Sequence, residues 1–293
     1  MKGPVHRTEA SPFRLGRSAV PDALAPFAEH GWTVDWSLDP AGPAHPSAVI
    51  PAPSVHVTVE RGEPGEVRHG HPLPATLVHG VVTRMFSVEL AGAGSVVGVR
   101  FRAGGFAAFC GRDVDDLTDR VLPARSLLGP AVPDDGAELA TWLADRAPEP
   151  PPVLAELTAL LDAVAADPTV VRVEQLAALA GWSVRGTQRV FRAMVGVSPK
   201  WVITRLRLLE AAHRLELEPE LNVAELAVQL GWYDQAHLTR DFRRLLGRPP
   251  GRYAREGELA QARAACPDPA SISRIRRRAA APAPTPDRRG TGW

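Results

Sequence analysis

One stretch of this chain occurs twice. Val173-Glu174-Gln175-Leu176-Ala177-Ala178-Leu179-Ala180-Gly181-Trp182 returns fifty residues later as Val223-Ala224-Glu225-Leu226-Ala227-Val228-Gln229-Leu230-Gly231-Trp232. Each copy continues through a polar, arginine-bearing segment to Phe191 or Phe242. It then reaches Gly196-Val197-Ser198-Pro199-Lys200-Trp201 or Gly247-Arg248-Pro249-Pro250-Gly251-Arg252-Tyr253. Self-similarity at a fixed period marks one supersecondary unit used twice.

The spacing inside each copy predicts a helix-turn-helix. Leu176 and Ala180, or Leu226 and Leu230, sit four apart and form one buried stripe. Ala177 or Ala227 is small, so a second helix can cross close by. Gly181 or Gly231 can end the first helix in the left-handed conformation that glycine adopts without steric cost. Ser183 or Asp234 can cap the start of the second helix. That helix must bury one face, through Val190 and Phe191 or through Leu238 and Phe242.

The other face is then free. In the first copy Arg185, Gln188, Arg189 and Arg192 fall at i, i+3, i+4 and i+7. In the second, Gln235, His237, Arg240, Arg243 and Arg244 are available. Arginine can chelate O6 and N7 of guanine, and glutamine can pair with N6 and N7 of adenine. A helix offering both at one-turn spacing suits the major groove. Lys200–Glu218, with Val202, Leu206, Leu209 and Leu215 among arginines, reads as one long helix joining the units. It would let both readers reach one DNA face about 34 Å apart.

The rest of the chain divides around this half. Residues 1–24 read as a flexible N-terminal arm, with a short helix near Asp22–His30. Residues 25–146 are mainly β with short helices. Period-two alternation at Trp32/Val34/Trp36, Val55/Val57/Val59, Phe86/Val88/Leu90 and Val97/Val99/Phe101 predicts half-buried strands of a sandwich or barrel. Ala147-Pro148-Glu149-Pro150-Pro151-Pro152 reads as a stiff linker at 147–152. Residues 153–256 read as all helix. Residues 257–293 read as a disordered basic tail, with seven Arg against two Asp from Leu259 onward.

A formal net charge of only +1 over 293 residues does not by itself announce a nucleic-acid binder; what matters is where the arginines stand. No apolar run of about 18 residues is present, so no membrane span is expected. Two distant cysteines, Cys110 and Cys266, form neither a disulfide framework nor a zinc spacing and fit a reducing cytoplasm.

At these residues the sequence resembles the AraC/XylS family of bacterial transcription regulators, over about residues 154–255. The family's second-unit pattern stands here as Ala227, Gly231, Trp232, Leu238, Arg240, Phe242, Gly247, Pro250 and Tyr253, with its closing arginine shifted to Arg255. In the first unit Ser183, Arg185, Gln188, Arg189 and Phe191 match, and the joining helix carries the theme Arg207-Leu208-Leu209-Glu210-Ala211. The resemblance implies base reading by Arg185, Gln188, Arg189, Gln235, His237 and Arg240. Arg192 and Arg244 are the further DNA-binding candidates. Gly186-Thr187 departs from the pattern, which usually has Leu at the second position. Glycine costs about 1 kcal/mol inside a helix, which predicts looser docking of the first unit.

The first half is similar to the sensor half of one subgroup, through Val97-Gly98-Val99-Arg100-Phe101-Arg102-Ala103-Gly104-Gly105-Phe106 and the upstream Leu24-Ala25-Pro26-Phe27. The subgroup has Pro at the position of Ala103. That likeness implies a cupin-like β barrel that senses a small molecule or joins subunits. Double-stranded DNA is therefore the expected partner. RNA polymerase, a small-molecule effector and a second copy of the chain are further partners compatible with the resemblance. No cofactor and no membrane are expected.

Other sites carry less. Trp32 and Trp36 share one strand face and are the ligand-binding candidates, against a plain core role. His69-Gly70-His71, with His79 beyond, invites a metal reading. No carboxylate follows before Glu89, so no metal site is expected. Cys110 lies in an apolar run and reads as a buried, inert thiol. Gly104-Gly105 lacks the Gly-Lys-Ser/Thr ending of a phosphate loop. The competing readings are an enzyme built on the β domain and tethered to DNA, a DNA-repair fusion, which would need a cysteine cluster, and a partner-binding helical module.

Overall fold

The computed structural model describes residues 13–39, 41–49, 52–218 and 220–256. The basic tail 257–293, the start of the expected arm and Cys266 lie outside the described residues.

The first half is a six-stranded antiparallel sheet. Its strands are β1 (Phe13–Ser18), β2 (Ala28–Ser37), β4 (His56–Arg61), β7 (Ala75–His79), β9 (Ala93–Phe101) and β10 (Val121–Pro123), in the order β1-β2-β9-β4-β7-β10. Two ribbons accompany it: β3 (His45–Val49) with β8 (Phe86–Leu90), and β5 (Val67–Arg68) with β6 (His71–Pro72). Among the described residues, hydrogen bonding does not close the sheet on itself. Instead β8 lies over it, with the Phe86 ring 5.2 Å from His69 and 6.0 Å from His79.

Two expectations at the N-terminus are corrected. Part of the supposed arm is β1, paired residue by residue with β2 from Phe13↔Trp36 to Ser18↔Gly31. The open edge of β2 presents unpaired backbone groups, and β1 satisfies them. The helix expected over 22–30 shrinks to a 3-10 turn at Asp22–Leu24, and β2 has begun by Ala28. Leu24 and Phe27 are wholly buried and anchor that turn.

Register divides the sheet into two chemically different faces. Trp32 stands opposite Gly98, Gly98 opposite Thr58, and Thr58 opposite Leu77. His79 stands opposite His56, and His56 opposite Arg100. Residues facing each other across strands share a side, and strand neighbours alternate. One face therefore carries Trp32, Trp36, His56, Thr58, Glu60, His79 and Arg100. The other carries Val57, Val59, Val78 and Val99, all buried. Helix α3 (Gly136–Ala144) packs on this apolar face through Leu139 and Leu143. It comes close because Gly136 has no side chain: a Cβ there would lie 2.6 Å from Val97 Cβ.

Beyond the short helices α1 (Gly105–Cys110) and α2 (Arg125–Leu128), the second half is helical. α4 (Pro152–Ala166) opens on a proline in its first turn, where no backbone donor is missed. Then come α5 (Val173–Ala180), α6 (Val184–Val190), a π turn at Phe191–Val195, α7 (Pro199–Leu217), α8 (Val223–Gln229), α9 (Gln235–Leu246) and α10 (Pro250–Glu256).

The apolar cores do not part at the proline-rich stretch. One core runs from Leu24, Phe27 and the sheet valines through Leu154, Leu157, Leu176, Phe191 and Val195 to Val202 and Ile203. A second core holds Leu208, Ala211, Leu215, Leu226, Leu230, Trp232, Leu238, Phe242 and Tyr253. The boundary falls inside α7, whose first half belongs to one core and whose second half belongs to the other. At 19 residues α7 is about 28 Å long.

Candidate nucleic-acid interface

In the first unit α5 ends on Gly181 at φ 67°, the left-handed cap that the sequence pattern requires. Ser183 then accepts a hydrogen bond from the Gly186 amide at 3.0 Å and starts α6. Thr187 is fully buried. Its hydroxyl donates to the Ser183 carbonyl at 3.1 Å, so the polar group that replaces a leucine methyl is satisfied inside its own helix. Arg185, Gln188 and Arg189 are exposed and one turn apart.

The second unit repeats the design. Gly231 has φ 77° after α8, and a Cβ there would lie 2.9 Å from Val171 Cγ1. The Asp234 carboxylate accepts from the His237 amide at 2.7 Å and caps α9. Leu238 and Phe242 are wholly buried, whereas Gln235, His237, Arg240, Arg243 and Arg244 are exposed. The helix is thus apolar on one side and carries donors on the other.

Arg192 is exposed like the other candidates of its unit but is also engaged by the first half. α6 ends at Val190, and Arg192 lies in the π turn that follows. Its Nε donates to Asp115 Oδ2 at 2.9 Å, an ion pair to the first half. The same junction includes the Val114 amide donating to the Ala193 carbonyl at 2.8 Å. It also includes the Thr118 hydroxyl donating to the Gly196 carbonyl at 2.6 Å.

Sequence reasoning missed the brace behind α9. Arg207 of α7 stacks on the Trp232 ring at 3.9 Å and donates to the Leu230 carbonyl at 2.6 Å. Asp241 accepts from Trp232 Nε1 at 2.9 Å and lies 3.4 Å from His237 Nε2. The signal was present in the sequence as an aspartate one turn after His237 on the same face. His237 is therefore held by its own helix as well as offered to solvent.

The polar face of the sheet is the second place where side chains of interest converge. Trp32 Nε1 bonds His56 Nδ1 at 3.2 Å, and Trp36 Nε1 donates to the Ala91 carbonyl at 3.2 Å. Both ligand-binding candidates are thus tied to protein partners. Arg68 lies 4.9 Å above the Trp36 ring. Glu60 is buried yet accepts from Thr58 at 3.0 Å, Arg68 at 3.1 Å and His79 at 2.9 Å. Burial alone would raise its pKa; the hydrogen bond and charge of His79, with His69 and Arg68, outweigh this and hold it at about 2. Burial pushes His69 down to about 4, against the attraction of Glu60.

The expectation that the histidines lack a carboxylate is thereby corrected. The partner lies upstream, on β4, and a search forward from His71 passes it by. Cys110 is half-buried, and burial pushes its thiol up to about 12, as its apolar setting suggested. Among the described residues no helix is long and apolar enough to cross a membrane.

Comparison with known proteins agrees with the helical geometry. Residues 176–256 match a family model described as a helix-turn-helix domain, and residues 19–123 match a domain of unknown function, DUF6597. The transcriptional activator NphR of Rhodococcus sp is 34% identical over 86 residues, 29% of this chain and 25% of that protein. The HTH-type transcriptional regulator MtrA of Neisseria gonorrhoeae is 31% identical over 85 residues, 29% of this chain and 28% of that protein. The matched stretch thus spans about a quarter of the length of these relatives. Among solved structures, a probable AraC family regulator from Rhodopseudomonas palustris CGA009 is 26% identical. That likeness covers 35% of this chain and 97% of that one, at a TM-score of 0.32.

Proposed function

We propose that this chain is a sequence-specific DNA-binding transcription regulator, not an enzyme. Residues 153–256 read duplex DNA through α6 and α9, and residues 25–146 act as the controlling half. One observation carries the reading. Two separately capped helices expose Arg185, Gln188 and Arg189, and Gln235, His237 and Arg240, and a single continuous helix, α7, joins their units. Each exposed set matches the donor and acceptor pattern of base edges in the major groove.

The likeness of part of the chain to named regulators supports the same conclusion. The first half, in this reading, is the cupin-like sensor of its subgroup. Its input is a bound ligand or a second copy of the chain, and the junction at Asp115, Thr118 and Gly196 is the route by which that input reaches α6.

Selection of random duplex DNA by the full chain, followed by sequencing, tests the proposal. Two enriched elements about one helical turn apart are the expected result. The full chain is the right reagent, because the first unit shares its core with the sheet. Absence of any enriched sequence from the folded chain would reject the reading.

A further inference from the structure

Glu60, His69 and His79 are drawn together from three separate elements: strand β4, the turn between β5 and β6, and strand β7. One oxygen of Glu60 and one ring nitrogen from each histidine all lie within 4.8 Å of one another. We propose that these three side chains form a binding site for a divalent transition-metal ion of the zinc, cobalt or nickel class.

The donor chemistry selects that class. Two imidazole nitrogens and one carboxylate oxygen suit zinc and its neighbours, whereas calcium and magnesium prefer all-oxygen shells. Zinc sits about 2.0–2.2 Å from such donors, which puts tetrahedral ligands about 3.4 Å apart. The distances here bracket that value, with Glu60 Oε1 2.9 Å from His79 Nε2 and Glu60 Oε2 3.8 Å from His69 Nε2. These two contacts use different oxygens of Glu60, and the set with one donor per residue, all within 4.8 Å of one another, closes to about 3.4 Å by side-chain adjustment. Three protein donors also leave a coordination position open.

Arg68 is the obvious competitor, since its guanidinium lies 3.1 Å from Glu60 Oε2. It is not dependent on that contact. Glu66 accepts from its Nε at 3.2 Å and its Nη2 at 2.6 Å, and the Trp36 ring lies beneath it. An ion arriving at Glu60 would therefore leave Arg68 paired. Around the other oxygen, Thr58 donates to Glu60 at 3.0 Å and supplies the outer hydrogen bond that orients a ligating carboxylate.

The turn supplies an independent argument. His69 and Gly70 are its two central residues, with φ 54° and 81°. A two-residue hairpin turn with both φ positive favours Asn or Asp followed by Gly. Histidine at the first position is the poorer choice for the backbone, yet it places an imidazole beside Glu60. Histidine tolerates a positive φ, so the turn accommodates the ligand at a position that faces Glu60.

The test is metal binding itself, read without DNA, so that its failure and the failure of the regulator reading remain distinguishable. The untagged full chain is titrated with Co²⁺ and followed by visible absorption. Zn²⁺ stoichiometry is measured by equilibrium dialysis and elemental analysis. One equivalent is expected, with a cobalt d–d band. His69→Asn is the decisive variant, because asparagine suits the turn and the fold should survive. It should lose the band and bind Zn²⁺ at least tenfold more weakly. His79→Ala should do the same, with its folding checked by circular dichroism. No bound metal in the wild-type chain, or equal binding by His69→Asn, would overturn the proposal.

Discussion

The two helix-turn-helix units share a plan and differ in what lies behind them. Behind α6, Phe191 and Val195 enter the same core as Phe27, Phe101 and the valines of the sheet. Behind α9, Phe242 and Leu238 enter a core made chiefly by the second unit and the latter half of α7. The first reader is built into the β half; the second is carried at the end of a helix. A change in the sheet therefore has a packed core route to α6, whereas α9 meets the β half at its C-terminal cap, where Gly247 lies against Met85.

The largest test of this contrast is a pair of truncations. Phe191→Ala and Phe242→Ala each remove a wholly buried ring and should each cost about 3–5 kcal/mol. Hydrogen exchange should separate them. Phe191→Ala should loosen the sheet together with α5 and α6, and Phe242→Ala should loosen only α8 to α10. Equal protection of the sheet in both variants would break the contrast.

Next is Gly231→Val, which forces a β-branched residue to φ 77° and drives a Cβ toward Val171. A loss of about 2–3 kcal/mol confined to the second unit is expected from the left-handed conformation and overpacking. An unchanged melting curve would refute the turn assignment.

At the DNA itself, Arg189→Ala and Arg240→Ala should each weaken binding to the selected sequence by about 1–3 kcal/mol and relax preference at one base pair. Titration against single-base variants of the site reads this directly. Loss that is uniform over all sequences would make the two arginines phosphate contacts.

The smallest effect is expected at the junction. Asp115→Asn breaks an ion pair whose arginine is 78% exposed, so stability should change by less than about 0.5 kcal/mol. The freed Arg192 should raise the salt dependence of DNA binding by up to one phosphate contact. If Arg244→Ala lowers the salt slope and Asp115→Asn leaves it unchanged, Arg192 stays at the junction and does not reach the duplex.

How much of this could be read from the chain varies with the kind of contact involved. The two units, their caps at Ser183 and Asp234, the left-handed glycines and the exposed readers all follow from residue spacing. They depend on contacts within about ten residues, and helical periodicity records such contacts directly. The ion pair of Arg192 with Asp115 was not legible, because it joins residues 77 apart in the chain. The polar face of the sheet was legible only in part. Alternation around Trp32 and Val57 announced strands, but not which strand lies beside which.

The sequence alone determined the repeat, the helix-turn-helix geometry and the chemistry offered to DNA, because each is set by period, propensity and capping along one segment. Only tertiary structure decided that Glu60 meets His69 and His79, that the first unit shares a core with the sheet, and that the core boundary falls inside α7. Those facts depend on strand order and on which apolar faces meet. Both are set by three-dimensional packing between segments far apart in the chain, for which the linear order of residues carries no period to read.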